Sequence, residues 1–330
     1  MARPGRSGEF ELIAQHFAPL AAGEAGAFGL TDDAALLAPA SGCAIVATAD
    51  AMVAGVHFLP EDPPDLIARK LLRVNLSDLA AMGARPRAYL LTLALPKEID
   101  DDWLAAFAGG LAADQAEFGI HLAGGDTVST PGPLTLSLTA LGEAKDGAVL
   151  RRSGAEAGDT VYVTGTIGDA ALGLDSLQGR LGGMGPRQTE VLTGRYRLPR
   201  PRTACGPRLL GLAHAALDVS DGLVADLGHL CKASGVAAVI EAARVPISEA
   251  AGEALAADPD LLPRVLTGGD DYELAFAAPP EAEEAIRALG VELELPVAAI
   301  GRCEAGQGVR VVDRDGAALD GLGVGGWRHG

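Results

Sequence analysis

The chain has 330 residues, of which 48% are hydrophobic and 21% are charged, so it is globular and long enough for two domains. Acidic residues outnumber lysine and arginine by 44 to 26, and the formal charge of −18 argues against binding to nucleic acid or to anionic membranes. No two of the four cysteines are close in sequence, which argues against a zinc knuckle or a redox pair; we expect neither a signal peptide nor a membrane span, and a cytoplasmic location.

The first half of the chain predicts an α+β domain. In order, its apolar pattern predicts a helix over 9–17, a turn into a strand over 29–37, a strand over 43–49 ending in Asp50, a helix over 65–83, a strand over 88–95, a helix over 102–118, and strands over 120–123 and 134–141. The last of these alternates leucine with serine and threonine, which is typical of a half-buried antiparallel strand. This order suits a sheet with helices on one face.

The second half predicts an α/β domain. Near Arg151 the composition turns polar and glycine-rich, and we place the domain boundary there, between residues 1–150 and 151–330. A strand over 160–163 leads through a glycine turn that lacks the full dinucleotide-binding spacing into a helix ending near Leu177. The arginine-rich stretch Arg195 to Arg202 is interpreted as a solvated linker. A strand ending at Asp218, a helix after Leu223 capped by Ser220 or Asp221, and a glycine-acid turn before a strand near Leu274 complete the prediction.

The helix over 65–83 carries a carboxylate on an apolar face. At roughly 100° per residue, Asp78 falls on the same face as Ile67 and Leu71. A buried carboxylate must be neutralised, paired or bound to a metal. A salt bridge to Lys70 or Arg73, or a place at the domain surface, would also satisfy Asp78.

Several aspartates share this kind of setting, beside glycine or apolar residues at predicted strand or helix ends. They are Asp32, Asp33, Asp50, Asp78, Asp126, Asp218 and Asp221. Oxygen-only ligation favours magnesium, calcium or manganese over zinc, although solvated turns would also explain Asp32-Asp33 and Gly124-Gly125-Asp126. The chain has no Walker lysine loop and no protein-kinase signature, so phosphoryl transfer here requires another architecture.

Seven motifs occur together in a specific order. They are Asp32-Asp33-Ala34-Ala35-Leu36-Leu37, Ala54-Gly55-Val56-His57-Phe58-Leu59-Pro60, Val74-Asn75-Leu76-Ser77-Asp78-Leu79-Ala80-Ala81-Met82-Gly83-Ala84, Gly124-Gly125-Asp126-Thr127, Arg152-Ser153-Gly154, Asp218-Val219-Ser220-Asp221-Gly222-Leu223 and Gly268-Gly269-Asp270-Asp271-Tyr272-Glu273-Leu274. In these motifs the chain resembles the thiamine-monophosphate kinase family over nearly its whole length.

The resemblance implies a function and a fold. The function would be magnesium-dependent transfer of the γ-phosphoryl group of ATP to thiamine monophosphate, giving thiamine diphosphate. The fold would be that of aminoimidazole-ribonucleotide synthetase, in which two N-terminal mixed sheets pair into a barrel in a homodimer and a C-terminal α/β domain closes each site.

The resemblance also assigns roles to residues. It implies metal ligation by Asp33, Thr48, Ala49 (through its carbonyl), Asp50, Asp78, Asp126, Asp218 and Asp221. It implies nucleotide contacts by Gly125, Asp126, Arg152 and Ser220, and contacts to thiamine monophosphate by His57, Asp270 and Trp327. Catalysis would depend on positioning and charge neutralisation, with no side-chain base or nucleophile. Backbone bonding would be the simpler role for His57.

Three positions depart from the family pattern, so other functions have to be considered. Thr31 replaces a glycine, Ala49 replaces a hydroxyl residue, and Asp270 replaces a glutamate. Ala49 and Asp270 would suit a binding protein that has lost catalysis, whereas the retained acids argue against one. Selenophosphate synthetase would need a reactive cysteine in an N-terminal glycine-rich loop and the hydrogenase-maturation member a C-terminal cysteine, which this chain lacks; the motifs of aminoimidazole-ribonucleotide synthetase fit less well.

Overall fold

The chain forms two compact units. The computed structural model describes residues 8–319 and 322. The first unit takes Met1–Leu79 and Ala84–Gly147, and the second takes Ala80–Gly83 and Ala148–Gly330. Each unit is built on one mixed sheet with helices, which confirms the predicted α+β and α/β class. Within the described ranges, no helix has the length and apolar character needed to cross a bilayer.

A four-stranded sheet forms the centre of the first unit, in the order β1-β4-β2-β3. Strand β4 is antiparallel to both β1 and β2, whereas β2 and β3 are parallel. A parallel pair needs a crossover connection, and a long helix supplies it. The elements are α1 Glu9–Leu12, β1 Cys43–Val53, α2 Pro64–Ala81, β2 Arg85–Leu95, α3 Asp101–Phe118, β3 His121–Ser129 and β4 Thr135–Lys145.

One face of this sheet lies against the two long helices. The side chain of Gln115 on α3 donates a 2.9 Å hydrogen bond to the hydroxyl of Tyr89 on β2, and α2 bonds to β1 as described below. Leu104 and Phe107 of α3 are fully buried. On the opposite face, β1 presents exposed residues, Ile45 among them. The sheet is therefore covered on one side and open on the other, as predicted.

The strand predicted before β1 is wrong. Residues 34–37 form no strand: Leu36 is 72% exposed, and its N–H donates to the carbonyl of Gly26 rather than to a sheet. The apolar pattern there has no neighbouring strand to pair with in the described part of the chain. The helix predicted over 9–17 is confirmed, as an α-helix over Glu9–Leu12 that continues as a π-helix over Ile13–Phe17.

A six-stranded sheet forms the centre of the second unit, in the order β10-β7-β9-β5-β8-β6. Only the pair β10 and β7 is parallel among these neighbours. The elements are β5 Thr160–Thr164, α4 Asp169–Leu177, α5 Pro186–Arg197, β6 Ala215–Asp218, α6 Leu223–Ser234, β7 Val236–Glu241, α7 Glu249–Ala257, α8 Leu262–Thr267, β8 Leu274–Ala278, α9 Glu283–Glu292, β9 Val297–Ala305 and β10 Gly308–Val312.

Both faces of this second sheet are buried. On β8, which lies between β5 and β6, Ala275 packs in the cluster that contains Leu227 of α6, whereas Phe276 packs in the cluster that contains Ile286 of α9. The ring of Phe276 stacks on Tyr162 of β5 with centroids 5.2 Å apart. Burial on both sides explains why these strands are almost continuously apolar.

The arginine-rich stretch is not a solvated linker, so that prediction is wrong. Arg195 lies in the last turn of α5, and its Nη2 is 2.8 Å from Oε1 of Glu273. The Nε of Arg202 donates to Oε2 of the same carboxylate at 2.6 Å. Glu273 is fully buried, and a buried charge requires partners of opposite charge. The sequence shows both arginines but not the glutamate that they contact.

Candidate active site

Thr48, Asp50 and Asp78 meet where β1 faces α2. Side chains alternate along a strand, so Thr48 and Asp50 share one face of β1. The Thr48 hydroxyl donates a 2.5 Å hydrogen bond to Oδ2 of Asp78, and the backbone N–H of Asp50 donates to Oδ1 of Asn75 at 3.2 Å. Asn75 and Asp78 are three residues apart and therefore neighbours on the helix surface. The strand and the helix bring two carboxylates, a hydroxyl and an amide together.

The two carboxylates oppose each other's ionisation. Burial, and after it the charge of Asp78, raise the pKa of Asp50 from 3.8 to about 6. A divalent cation would remove this penalty, since it favours both ionised carboxylates. The oxygen-only donor set of Thr48, Asp50 and Asp78 fits Mg²⁺. The strand-end position predicted for Asp50 is wrong, because β1 continues to Val53.

Lys70 and Arg73, which the sequence suggested as salt-bridge partners of Asp78, contact other residues. The Nζ of Lys70 donates to the carbonyl oxygen of His57 at 3.1 Å. Arg73 forms a bidentate pair with Asp114 of α3, with Nε to Oδ2 at 2.7 Å and Nη2 to Oδ1 at 2.9 Å. Metal ligation by Asp78, which is half-buried, stays a prediction.

A cavity of about 570 Å³ in the first unit is lined by three more of the candidate acids, Asp32, Asp33 and Asp126. Asp33 comes from the irregular segment before β1, and Asp126 comes from β3. Gly124, Gly125 and apolar side chains such as Phe17 complete the lining. The fold thus brings Asp33 and Asp126, which are far apart in sequence, to one cavity that also contains apolar surface.

The Gly-Gly-Asp motif is part of a strand, so the simple turn considered for it is wrong. β3 runs through Gly124 and Gly125, and Asp126 pairs with Thr92 of β2. A Cβ at Gly125 would lie 1.9 Å from the carbonyl oxygen of Leu91. Close strand packing therefore requires this glycine whether or not it contacts a nucleotide.

His57 follows β1 and is held through its ring and its backbone. Its Nδ1 accepts the N–H of Val53 at 3.1 Å, so the neutral ring carries its proton on Nε2. Its carbonyl accepts from Lys70. Backbone bonding, the simpler role allowed for this histidine, is present, and its contact to substrate stays a prediction.

In the second unit, Asp218, Ser220 and Asp221 lie at the junction of β6 and α6. Oδ2 of Asp226, in the first turn of α6, accepts the N–H groups of Ser220, Asp221 and Gly222 at 3.0, 2.9 and 3.1 Å. The cap predicted for Ser220 or Asp221 is wrong, because the N-cap residue of α6 is Gly222, which has no capping side chain; Asp226 instead holds the loop before it. An acid in the first helical turn is the signal that could have identified this residue.

The same region contains a group of metal-ligand types. One ligand atom each from Asp221, Asp226 and His229 lie within 4.8 Å of one another. Burial raises the pKa of Asp226 to about 7, although its three backbone N–H donors act in the opposite direction. Asp221, for which ligation was predicted, therefore has the buried carboxylate of Asp226 beside it.

The turn that carries Asp270 is hydrogen-bonded to the loop after β6. The N–H of Asp270 donates to the carbonyl of Ser220 at 2.9 Å, and that of Tyr272 donates to Val219 at 2.8 Å. Asp270 and Tyr272 have positive φ angles of 73° and 51°, and a Cβ at Gly269 would lie 2.2 Å from the Ser220 carbonyl oxygen. The structure thus brings Ser220 and Asp270 together, from motifs assigned to different ligands.

Asp271, which sequence reasoning did not single out, accepts hydrogen bonds from the N-terminus of α4. Its Oδ2 accepts the N–H of Gly168 at 2.7 Å, and its Oδ1 accepts that of Ala170 at 3.4 Å. Burial raises the pKa of Asp271 well above its usual value. A helix N-terminus is a natural anion site, and here a carboxylate of the chain occupies it. The glycine turn before α4 is therefore a structural junction, as predicted.

The positions of the remaining residues singled out in the sequence do not test their predicted roles. Arg152 has an exposed side chain, and its carbonyl accepts the Ser234 hydroxyl at 3.0 Å. Ala49 is exposed on the open face of β1, opposite to Asp50. The Thr31 hydroxyl donates to the carbonyl of Phe28 at 2.7 Å. Trp327 lies outside the described residues.

Comparisons with known proteins agree across most of the chain. Two family models match it: AIR synthase related protein, N-terminal domain, over residues 31–144, and AIR synthase related protein, C-terminal domain, over residues 156–314. Thiamine-monophosphate kinase of Caulobacter vibrioides is 43% identical over 304 residues, which are 91% of this chain and 85% of that protein.

Solved structures of related proteins are similar to this chain as well. The crystal structure of thiamine-monophosphate kinase from Stenotrophomonas maltophilia K279a superposes with a TM-score of 0.81 at 46% identity, covering 88% of this chain and 91% of that one. AaThiL complexed with AMPPCP and TMP superposes with a TM-score of 0.78 at 30% identity, covering 93% and 98%.

Proposed function

Because the chain belongs to the thiamine-monophosphate kinase family of AIR synthase related proteins, we propose that it transfers the γ-phosphoryl group of ATP directly to thiamine monophosphate. A phosphate oxygen of thiamine monophosphate bonds to the γ-phosphorus while the bond to the β–γ bridging oxygen breaks, so the products are thiamine diphosphate and ADP. The acceptor phosphate is already ionised at neutral pH, so no side-chain base or covalent intermediate is required. This reaction is the last step of thiamine diphosphate synthesis.

The meeting of Asp50 with Asp78 is the observation that carries the proposal. Their mutual repulsion in a half-buried place would otherwise be an unexplained cost to the fold. Bound Mg²⁺ neutralises phosphate charge and orients the transferring group. Asp50 and Asp78 would hold one ion, with the Thr48 hydroxyl and the Ala49 carbonyl as further oxygen donors.

Acids elsewhere in each unit would hold further ions. Asp33 and Asp126 line the same cavity of the first unit. In the second unit Asp221 lies beside Asp226, and Asp218 ends strand β6. Two unit charges about 5 Å apart repel by roughly 3 kcal/mol at an effective dielectric of 20. Several divalent cations would offset that repulsion when the phosphates of two substrates approach each other.

The remaining roles concern binding of the two substrates. Gly125, Asp126, Arg152 and Ser220 would contact ATP, and His57, Asp270 and Trp327 would contact thiamine monophosphate. The pairing of the Asp270 turn with Ser220 supports adjacent phosphate and acceptor sites in the second unit. The complex of the relative AaThiL with AMPPCP and TMP supports the choice of both ligands. The proposal includes a cytoplasmic location, which the four free cysteines fit.

The open face of the first sheet supports a homodimer. Ile45 and Leu90 on this face are 37% and 39% exposed, and small side chains such as Ala47 and Ala49 alternate along β1. Such a face suits packing against the same face of a second copy. Ile45→Glu should convert the dimer to a monomer in analytical ultracentrifugation. Val291→Glu, at a 77% exposed position of α9, should leave the mass unchanged.

A product assay tests the reaction. The purified chain is incubated with ATP, Mg²⁺ and thiamine monophosphate, and thiamine phosphates are separated by chromatography, with and without EDTA. We expect thiamine diphosphate only when Mg²⁺ is available. Ligand binding by calorimetry without product would instead identify a binding protein that has lost catalysis, and neither product nor binding would point to another substrate of the superfamily.

Variants then connect the activity to the site. Asp78→Asn should reduce turnover by about 100-fold or more while the circular dichroism melting curve is retained. Asp102→Asn removes the same charge from an exposed position of α3 and should retain full activity. An active Asp78→Asn variant would remove this residue from the site.

A further inference from the structure

The segment that carries the N-terminal acid pair, residues 24–40, is called here the acidic arm. It precedes β1 and belongs to no sheet. Leu30, Asp32, Asp33 and Leu37 of this arm line the cavity, which Asp126 of β3 also lines. The arm therefore presents two carboxylates to a cavity that already holds a third.

The acidic arm is folded back on itself near its start. Phe28, Gly29 and Leu30 have consecutive positive φ angles of 51°, 65° and 60°. The N–H of Leu36 donates to the carbonyl of Gly26 at 2.8 Å. A Cβ at Gly26 would lie 2.0 Å from the carbonyl oxygen of Leu36, so this crossing requires glycine. The fold gives the arm a defined internal shape, but attachment to the sheet needs other contacts.

Arg87 supplies that attachment at both ends of the arm. Its Nη1 donates to the carbonyl of Ala38 near the end of the arm and to Oε1 of Glu143 on β4. Its Nε is 3.6 Å from Oε2 of Glu24 at the start of the arm. Glu143 also accepts the N–H of Ala40 at 3.2 Å. The pair of Arg87 and Glu143, on adjacent strands, therefore contacts the beginning and the end of the arm.

A bulge in β2 places Arg87 where it can make these contacts. The pairing of β2 with β4 shifts register between Pro86 and Ala88, leaving Arg87 as the extra residue. A bulge redirects the side chain of the extra residue, and proline at the preceding position donates no ladder hydrogen bond. The side chains of Arg87, Glu143 and Glu24 are only 23%, 21% and 14% exposed, so solvent screens the group less than an open surface pair.

We propose that Arg87 is a positioning residue that holds the acidic arm, and with it Asp32 and Asp33, against the cavity. Like charges on the arm and on Asp126 repel each other before any cation binds, and this repulsion favours an open arm. The contacts of Arg87 oppose that opening. Because Arg87 is not among the residues that line the cavity, it would act on cation and nucleotide binding only through the arm.

The inference rests on the proposed function for its kinetic consequence, but its structural part is measured without turnover. Hydrogen exchange followed by mass spectrometry on the full chain reports opening of residues 24–40. Binding of Mn²⁺, followed by electron paramagnetic resonance, reports the cation sites directly. The variants are Arg87→Met, which removes the charge and the donors, and Arg87→Lys, which keeps the charge. The matched control is Arg85→Met, at an exposed position of the same strand.

Loss of several partly buried charge-assisted hydrogen bonds should speed exchange in the arm about tenfold in Arg87→Met and weaken Mn²⁺ binding to a similar extent. The KM for ATP should rise, whereas the KM for thiamine monophosphate should stay constant. Arg87→Lys should recover part of each effect, and Arg85→Met should match the wild type.

Two results would overturn the inference. One is unchanged exchange of residues 24–40 in Arg87→Met, which would show that the arm is held without Arg87. The other is faster exchange with unchanged Mn²⁺ binding, which would show that the arm does not serve the cation sites. If the wild type makes no thiamine diphosphate, the proposed function fails, but exchange and Mn²⁺ binding still decide this inference.

Discussion

The pKa of Asp50 predicts how affinity for Mg²⁺ depends on pH. A metal binds the ionised carboxylate, and burial together with Asp78 raises the pKa of Asp50 to about 6. The apparent dissociation constant rises by the factor 1 + 10^(pKa − pH). This factor is close to 1 at pH 7.5 and about 11 at pH 5. Affinity should therefore fall about tenfold over this range because of Asp50 alone.

Isothermal titration of Mg²⁺ between pH 5 and pH 7.5 measures this effect. In Asp50→Asn the affinity should be lower throughout and should lose this dependence. Asp102→Asn, the exposed control, should behave like the wild type. An affinity that does not change between pH 5 and pH 7.5, or a tenfold change that persists in Asp50→Asn, would refute the reasoning.

The metal-free protein offers an independent test of the same residue. The folded state binds the proton of Asp50 more tightly than the unfolded chain, whose pKa is 3.8. The stabilising effect of this residue is therefore fully present below pH 4 and is lost as the pH rises through about 6. The difference of about two pKa units corresponds to at most about 3 kcal/mol. Urea unfolding in EDTA should show this loss in the wild type but not in Asp50→Asn.

Three further substitutions test packing and hydrogen bonding within the two units, and a fourth serves as a control. Gly173→Ala should destabilise the protein by about 1–3 kcal/mol in urea unfolding, because its Cβ would lie 2.1 Å from a carbonyl oxygen of α5. The control Gly194→Ala should be neutral or slightly stabilising, because no atom lies within 4 Å of the added carbon. Asp114→Ala should cost about 3–5 kcal/mol, since it removes the carboxylate that accepts two bonds from buried Arg73, and a loss below about 1 kcal/mol would contradict this. Asp271→Ala should cost about 1–3 kcal/mol in thermal unfolding by exposing the start of α4; an unchanged melting curve would show that this cap is dispensable.

Elements with a strong internal period were predictable from the sequence. The apolar periodicity of α2 and α3 and the alternation in β4 predict that each element buries its apolar residues. The structure buries them in the first unit. The shared face of Thr48 and Asp50 was not predicted, because the sequence indicated a continuous apolar run that ends at Asp50, whereas β1 continues to Val53. The family motifs predicted the candidate site residues, but composition and period alone left salt bridges and solvated turns as alternatives.

Elements and contacts that depend on distant partners were not predictable in the same way. Leu36 looked like a strand residue, but no neighbouring strand pairs with it. Arg195 and Arg202 looked solvated because Glu273 is far away in sequence. The N-cap of α6 was assigned to Ser220 or Asp221 because serine and aspartate favour that position. Gly222 occupies it instead, and Asp226 accepts the N–H groups of the loop.

The sequence by itself determined the class of fold, the central helix α2 and the family to which the acids belong, because these follow from local period and residue identity. Only the tertiary structure decided which acids lie together. Asp50 meets Asp78, Asp33 shares a cavity with Asp126, and Arg87 contacts both ends of the acidic arm. Each of these contacts joins residues from separate elements, and such contacts depend on strand register and helix position, which the local pattern does not specify.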